Sequence, residues 1–253
     1  MTSVLRGAIR PRHHPLRVAA WAALLVSLGS LLISAGPSAA RGQTTLPPAT
    51  AATTLPQTST MAAAMPVLRQ GSQGSAVVYL QQRLTALHYD VGSIDGNFGY
   101  STYHGVVAFQ KVNGLVRDGI VGSQTWAALR APLIPRARYW HSSYGVEVNL
   151  SKQVLYLTRQ GAVVRILDAS SGTASTPTPR GNFSVTRRID GWRQSSLGLL
   201  WRPNYFYYGY AVHGSTSVPT YPASHGCVRV TIQAMNRLWS ILRIGTPVHI
   251  YRY

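Results

Sequence analysis

The sequence predicts an α+β chain: a small helical bundle followed by a mostly β domain that carries one helix. Three observations predict it. Apolar residues recur at three- and four-residue steps between 67 and 131, and from 146 onward they alternate in the strand manner. Two proline-containing stretches, 41–66 and 131–135, separate these patterns from each other and from the N-terminus. With 253 residues, of which 45% are hydrophobic, there is ample material for two packed cores, and a wholly disordered chain is excluded.

The first forty residues read as a targeting segment. Arg6, Arg10, Arg12 and Arg17 precede an apolar run from Val18 to Ile33, and Gly36-Pro37-Ser38-Ala39-Ala40 supplies small residues for cleavage after Ala40. An uncleaved membrane anchor is the other reading. The run is short for a span of ~20 residues and is broken by Ser27, Gly29 and Ser30, which favours a signal peptide over 1–40. Either way the remainder lies outside the cytoplasm. Residues 41–66 are Thr, Ala and Pro with almost no charge, the composition of an extended linker.

In the first folded segment, 67–131, Val77, Leu80, Leu84 and Leu87 mark one buried helix face. Val106, Phe109 and Gln110 start a second stripe, and Trp126 with Leu129 a third, shorter one. The segment also repeats itself. Asp95-Gly96-Asn97-Phe98-Gly99-Tyr100-Ser101-Thr102 aligns with Asp118-Gly119-Ile120-Val121-Gly122-Ser123-Gln124-Thr125, a turn leading directly into a helix. Asp-Gly supplies the turn, the later glycine permits positive φ, and Ser or Thr is expected to accept from free helix-start amides. No lysine is placed to make this a phosphate loop.

The second segment, 137–253, begins with alternation at Val146, Val148 and Leu150. After the Ser151-Lys152-Gln153 turn come Val154, Tyr156 and Thr158, then Gln160-Gly161 and Val163 to Leu167, a pattern of antiparallel strands. Asn182–Thr186 and Trp201–Val212 continue the β structure. One helix is predicted from Thr231 as N-cap through Met235, Leu238 and Leu242 to a stop at Gly245, before a closing strand Val248–Tyr251.

Composition narrows the chemistry. One cysteine excludes an intramolecular disulfide and a four-cysteine zinc site, and six acids spread over the chain make a dedicated calcium or magnesium cage improbable. That cysteine, Cys227, follows Ser224-His225-Gly226, with His213 upstream and Arg229 beyond. Three readings stand on spacing alone. A lone thiol is commonly an inert buried hydrophobe. His213, His225 and Cys227 are also zinc-ligand types, though no fourth ligand is evident and His-x-Cys is an awkward close pair. In the third reading Cys227 is a nucleophile, its thiol brought down from ~8.5 by an adjacent imidazole, with glycine leaving room for a carbonyl and for backbone amides.

Residues 68–129 resemble a peptidoglycan-binding module of the three-helix type, through Gly71, Gly74, Val77, Leu80-Gln81, Leu84, the two Asp-Gly turns, Phe109-Gln110 and Thr125-Trp126. The second segment resembles the L,D-transpeptidases with a YkuD-type catalytic domain. The resemblance rests on His213 followed by a spacer and Ser224-His225-Gly226-Cys227 with Arg229 two residues on. It extends upstream through Glu147–Leu150, Gln153–Leu157, Ser171-Gly172-Thr173 and Thr178–Phe183. The spacer is shorter than in many members, and Gly214 rather than Ser follows the histidine.

The resemblance implies a YkuD-like β-sandwich and a cysteine-dependent enzyme of the cell wall or periplasmic space that forms 3→3 cross-links through a thioester. An L,D-carboxypeptidase using the same acyl-enzyme and a non-catalytic wall-binding protein are its alternatives. Cys227 would be the nucleophile, His213 the proton acceptor and donor, and Gly214 the carbonyl that orients His213. His225 would orient the turn, donate to the oxyanion or be purely structural, with the Gly226 and Cys227 amides as oxyanion donors. Arg229, Ser224, Tyr221 and Tyr210 would contact substrate, Tyr207 lining the same cleft. No metal or cofactor is implied, and carbapenems would acylate the thiol. The partners expected are stem peptides, glycan and the anionic wall polymer, which suits a net charge of +18. Charge alone equally suits nucleic acid, but export and the lack of a nucleic-acid motif speak against it. A membrane tether follows only if the N-terminal segment is uncleaved.

Overall fold

The computed structural model of the chain describes residues 65–253. The targeting segment 1–40 and nearly all of the 41–66 linker lie outside the described residues. Among the described residues no helix is long and apolar enough to cross a membrane.

The helical segment folds as α1 (Ser75–Ala86), α2 (Tyr100–Asn113) and α3 (Ser123–Arg130). Val77, Leu80, Leu84, Val106, Phe109, Trp126 and Leu129 all bury in one cluster, as their spacing predicts. Leu87 is only partly buried, packed on that cluster at the C-cap of α1. The internal repeat has a structural basis in a buried glutamine. The Gln81 amide donates to Asp95 Oδ1, the Asn97 carbonyl and Thr102 Oγ1, while its oxygen accepts from the Asp95 and Gly96 amides. Gln110 repeats this with Asp118 Oδ1, the Ile120 carbonyl, Thr125 Oγ1 and the Gly119 amide. The expected Ser/Thr caps are not used. Gly99 and Gly122 occupy the N-cap positions without side-chain caps, because the threonine hydroxyls are engaged by the glutamines.

The second segment is a sandwich of two sheets. Strands β1 (Tyr144–Asn149), β2 (Val154–Arg159), β3 (Ala162–Asp168) and β4 (Gly181–Ser184) belong to the first, with a late strand, β10 (Pro247–Tyr251), giving the order β3-β2-β1-β10-β4. The second sheet runs β5 (Arg187–Arg188), β7 (Gly198–Tyr207), β8 (Tyr210–Ser215) and β9 (Val228–Thr231), with β6 (Trp192–Ser195) also pairing with β7. Val146, Val148, Leu155, Leu157, Val248 and Ile250 face Val212, Val228 and Val230 of the other sheet and Met235 and Leu238 of α4 (Ile232–Trp239).

The first sheet is covered on both faces. Val154, Tyr156, Val163 and Ile166 belong to the same apolar cluster as the helices, so β2 alternates between two buried environments. The junction is also polar. Asp90 N–H donates to the Ile166 carbonyl and Ile166 N–H to the His88 carbonyl, adding a one-residue strand to the edge of β3.

Thr231 caps α4 as predicted, accepting from the Ala234 amide at 3.1 Å. The helix is shorter than its apolar spacing suggests, ending at Trp239; Leu242 stays fully buried because a tight turn, with Leu242 N–H on the Leu238 carbonyl, carries it inward. The predicted Trp201–Val212 strand is two strands, β7 and β8, folded back at Tyr208-Gly209.

Candidate active site

Two adjacent parallel strands bring the sequence motif together. β8 pairs with β9 so that Val212 lies opposite Val228 and His213 opposite Arg229, which sets Cys227, just ahead of β9, beside Ala211 near the start of β8. His213, Cys227 and Arg229 all line one cavity of about 540 Å³, together with His225, Ser224 and Tyr210. Arg187 of β5 and the β6–β7 hairpin, with Arg193, Leu197 and Leu199, complete the lining.

His213 is buried, and its Nδ1 lies 2.9 Å from the Gly214 carbonyl. A carbonyl only accepts, so the proton sits on Nδ1 and the Nε2 lone pair is left free. Burial pushes the imidazole pKa down to about 4; the Gly214 bond opposes this and the charge of Arg229 adds to it. The ring is therefore a neutral base near pH 7. Gly214 itself is hemmed in, since a Cβ there would lie 2.9 Å from the Trp201 ring and 3.1 Å from Met235.

Cys227 is half-buried, with Sγ 3.8 Å from the Gly209 carbonyl. Burial raises its pKa above the ordinary thiol value, against smaller opposing contributions from a backbone bond at Ala211 and from Arg229. The direction is upward, where the sequence led to the expectation of a thiol lowered by an adjacent imidazole. Both groups lose solvent, so each favours its neutral form and the resting pair is thiol and imidazole.

The turn carrying Cys227 is internally braced. Ser224 Oγ donates to the Cys227 carbonyl and accepts from the Gly226 amide at 3.0 Å. Ser224 thus touches the cavity, but its hydroxyl is spent holding the turn, and the Gly226 amide is likewise engaged, which removes both from the free groups expected at the site. Gly226 is required on two counts: its φ is +109°, and a Cβ would lie 2.3 Å from the Tyr210 ring. His225 is exposed and faces the cavity. Tyr221 is exposed and is not among the cavity-lining residues; its carbonyl accepts from Ser170 Oγ at 2.7 Å. Tyr207 does not line the cavity either, packing instead against Phe183 and Tyr208.

His213, His225 and Cys227 do not converge as a set of three metal donors, and no other such set occurs among the described residues. Charge inside the cavity has one sign. Arg187, Arg193 and Arg229 line it, and none of the six carboxylates does. The sequence reading missed the β6–β7 wall. Its signal was the Ser195-Ser196-Leu197-Gly198 turn, where Ser195 pairs with Gly198 and Trp192 with Trp201.

Comparisons with known proteins find relatives for both folded segments. The family model described as "L,D-transpeptidase catalytic domain" matches residues 143–250, and "Putative peptidoglycan binding domain" matches 73–129. A crystal structure of an L,D-transpeptidase from Xylanimonas cellulosilytica is 49% identical, with 73% of this chain and 97% of that chain covered and a TM-score of 0.70. The chain belongs to the L,D-transpeptidase family. A spore cortex-lytic enzyme of Oceanobacillus iheyensis is 29% identical over 189 residues, covering 73% of this chain and 62% of that one. Another, from Bacillus cereus, is 39% identical over 134 residues, covering 53% and 44%. The chain therefore spans 62% and 44% of the length of these curated relatives, less than two thirds of either. The L,D-transpeptidase catalytic domain supplies every residue named around the cavity, and the peptidoglycan-binding domain supplies the three helices.

Proposed function

We propose that the protein is an exported, cysteine-dependent L,D-transpeptidase that joins peptidoglycan stems by 3→3 cross-links. The single observation that carries this reading is His213: a buried neutral imidazole, fixed by the Gly214 carbonyl, on the cavity that also holds the lone thiol.

The protonation states dictate the order of events. Cys227 Sγ attacks the carbonyl carbon of the third stem residue while its proton passes to His213 Nε2. Negative charge develops on the carbonyl oxygen. With the Gly226 amide committed to Ser224, the Cys227 amide is the backbone donor assigned to that oxygen. Collapse of the intermediate breaks the amide bond, and the leaving D-Ala amine takes the proton from His213. A thioester remains. The side-chain amine of a second stem then attacks the thioester, returns a proton to His213, and Sγ leaves and takes it back. Arg229 binds the stem carboxylate that departs with D-Ala, and Tyr210 forms the floor beside it. His225, exposed at the rim, keeps the turn's orientation or contacts the acceptor. The helical module holds glycan, and the positive surface holds the anionic wall polymer.

Purified tetrapeptide stems incubated with the enzyme and analysed by mass spectrometry test the reading. Cross-linked dimers lacking one D-Ala are expected. Tripeptides alone would assign an L,D-carboxypeptidase, and unchanged stems would assign a wall-binding protein. In parallel, a carbapenem should add its mass to the intact wild-type chain and not to Cys227→Ala.

A further inference from the structure

Lys111 has no place in the chemistry above, yet its side chain is wholly buried. It lies on α2, two turns after His104 and so on the same face, at the junction between the helical module and the sandwich. Its ammonium donates to Asp168 Oδ1, to the Gln153 carbonyl at 3.0 Å and to the Ala169 carbonyl at 2.9 Å. All three donor positions of a lysine are thus filled. The other oxygen of Asp168 accepts from His104 Nδ1 at 2.6 Å.

Asp168 ends β3, and the residues that follow it form a strap under the catalytic turn. Six hydrogen bonds join the strap to the turn. Ser170 N–H donates to the Arg229 carbonyl and Arg229 N–H to the Ser170 carbonyl, Ala223 and Ser224 N–H both donate to the Ser171 carbonyl, Thr173 N–H donates to the Ser224 carbonyl, and Ser170 Oγ donates to the Tyr221 carbonyl. The fit is close: a Cβ on Gly172 would lie 2.8 Å from Gly226 Cα. Gln153, whose carbonyl Lys111 holds, grips the same strap with its side chain, accepting from Ser171 N–H and donating to Ser171 Oγ. Arg117, just beyond α2, donates to the Thr220 carbonyl on the segment that leads into the turn. Lys111 is therefore linked, by way of Ala169 and Ser170, to Arg229, two residues from Cys227.

We propose that Lys111 is a positioning residue for the transfer reaction, fixing the strap 169–173 and through it the turn that presents Cys227. The helical module is then a structural part of the active site as well as a wall-binding unit. The inference rests on Cys227 as the reacting group, and its test separates the two claims.

Full-length wild type, Lys111→Met, Asp168→Asn and the Lys111→Met/Asp168→Asn double variant are compared at a temperature well below the midpoint of each. The rate constant for carbapenem acylation is resolved by intact mass into a binding step and a covalent step. Lys111→Met is expected to slow the covalent step at least tenfold with little change in binding. The double variant should recover thermal stability, because no unpaired buried charge remains. It should not recover the covalent step, because the bonds to Gln153 and Ala169 are still missing. Acylation of folded Lys111→Met within twofold of wild type overturns the proposal, as does recovery of rate in step with stability. Alkylation of Cys227 by iodoacetamide is followed alongside. If wild type reacts with iodoacetamide but not with the carbapenem, the functional reading fails, while slower alkylation in Lys111→Met still supports positioning. Should the variants not fold, amide hydrogen exchange on the wild type decides: the Ser224 and Arg229 amides are expected to open together with α2, and their protection outlasting that of α2 overturns the proposal.

Discussion

At the junction of α2 and β3 the Asp168 carboxylate takes bonds from both His104 and Lys111, whereas in the cavity around Cys227 three guanidiniums meet no carboxylate. The difference follows from how few acids the chain has. All six lie among the described residues and all are committed elsewhere: Asp90 to Arg237, Asp95 and Asp118 to the two repeated turns, Glu147 to the Arg138 and Tyr139 amides, Asp168 to Lys111, and Asp190 to Arg202. A charge sealed into the protein needs its partner in the protein. A charge facing a cavity is left for a ligand to meet. The junction is built to hold the fold and the turn beside it, the cavity to bind, and only substitutions at the junction should cost much stability.

The largest effect belongs to His213. His213→Gln removes the proton acceptor while keeping a polar side chain, and the rate of thioester formation should fall by about 10² to 10⁴. Stability should change far less. The check is the acylation rate by intact mass beside a thermal midpoint, and a variant that acylates normally would remove His213 from the mechanism.

Lys111→Met should cost far more stability, about 3–5 kcal/mol as read from urea unfolding, because the buried Asp168 carboxylate is left with His104 as its one partner. Adding Asp168→Asn should return most of that loss. A cost below about 1 kcal/mol for the single change would break the contrast between junction and cavity.

Acid comes next. His213 is held near 4 in the fold against an ordinary value of 6.5, so between those values the unfolded chain binds a proton there and the native chain does not. Stability from this group is complete above pH 6.5 and is lost as pH falls towards 4, amounting to roughly 3 kcal/mol. The acid limb of the acylation rate should lie near pH 4 for the same reason. A limb near 6.5 would mean that the ring is solvated and that the neutral thiol–imidazole pair is wrong.

How much of this could be read before the fold was known depended on range. The Val77, Leu80, Leu84 stripe, the repeated Asp-Gly turns and the Thr231 cap are local, and their physics is complete within a few residues. The candidate motif was legible because His213, on β8, and Cys227, one residue ahead of its partner strand β9, sit only 14 positions apart. Lys111 and Asp168 are 57 positions apart, and nothing local marks either. A lysine beside Val112 within an apolar stripe was the available clue, but an ammonium in such a place reads as a solvated edge until the sheet is known to cover it. Tyr221 shows the converse: an aromatic beside the motif is near in sequence, while its ring is exposed and outside the cavity lining.

The smallest effect sharpens the comparison most, because it concerns a residue with nothing to do inside the protein. Arg193 lies on β6, exposed, on the cavity wall, and no carboxylate pairs with it among the described residues. Arg193→Gln should leave stability within about 0.5 kcal/mol of wild type, as expected of a solvated side chain. Its effect should fall on the encounter with an anionic stem, lowering kcat/KM by about two- to fivefold at low salt, and less as salt screens the field. The wild-type rate should therefore fall more steeply with salt than that of the variant, and the two should converge at high ionic strength. A variant that is destabilised instead would show this guanidinium to be holding the hairpin, and the cavity would then differ from the junction only in degree.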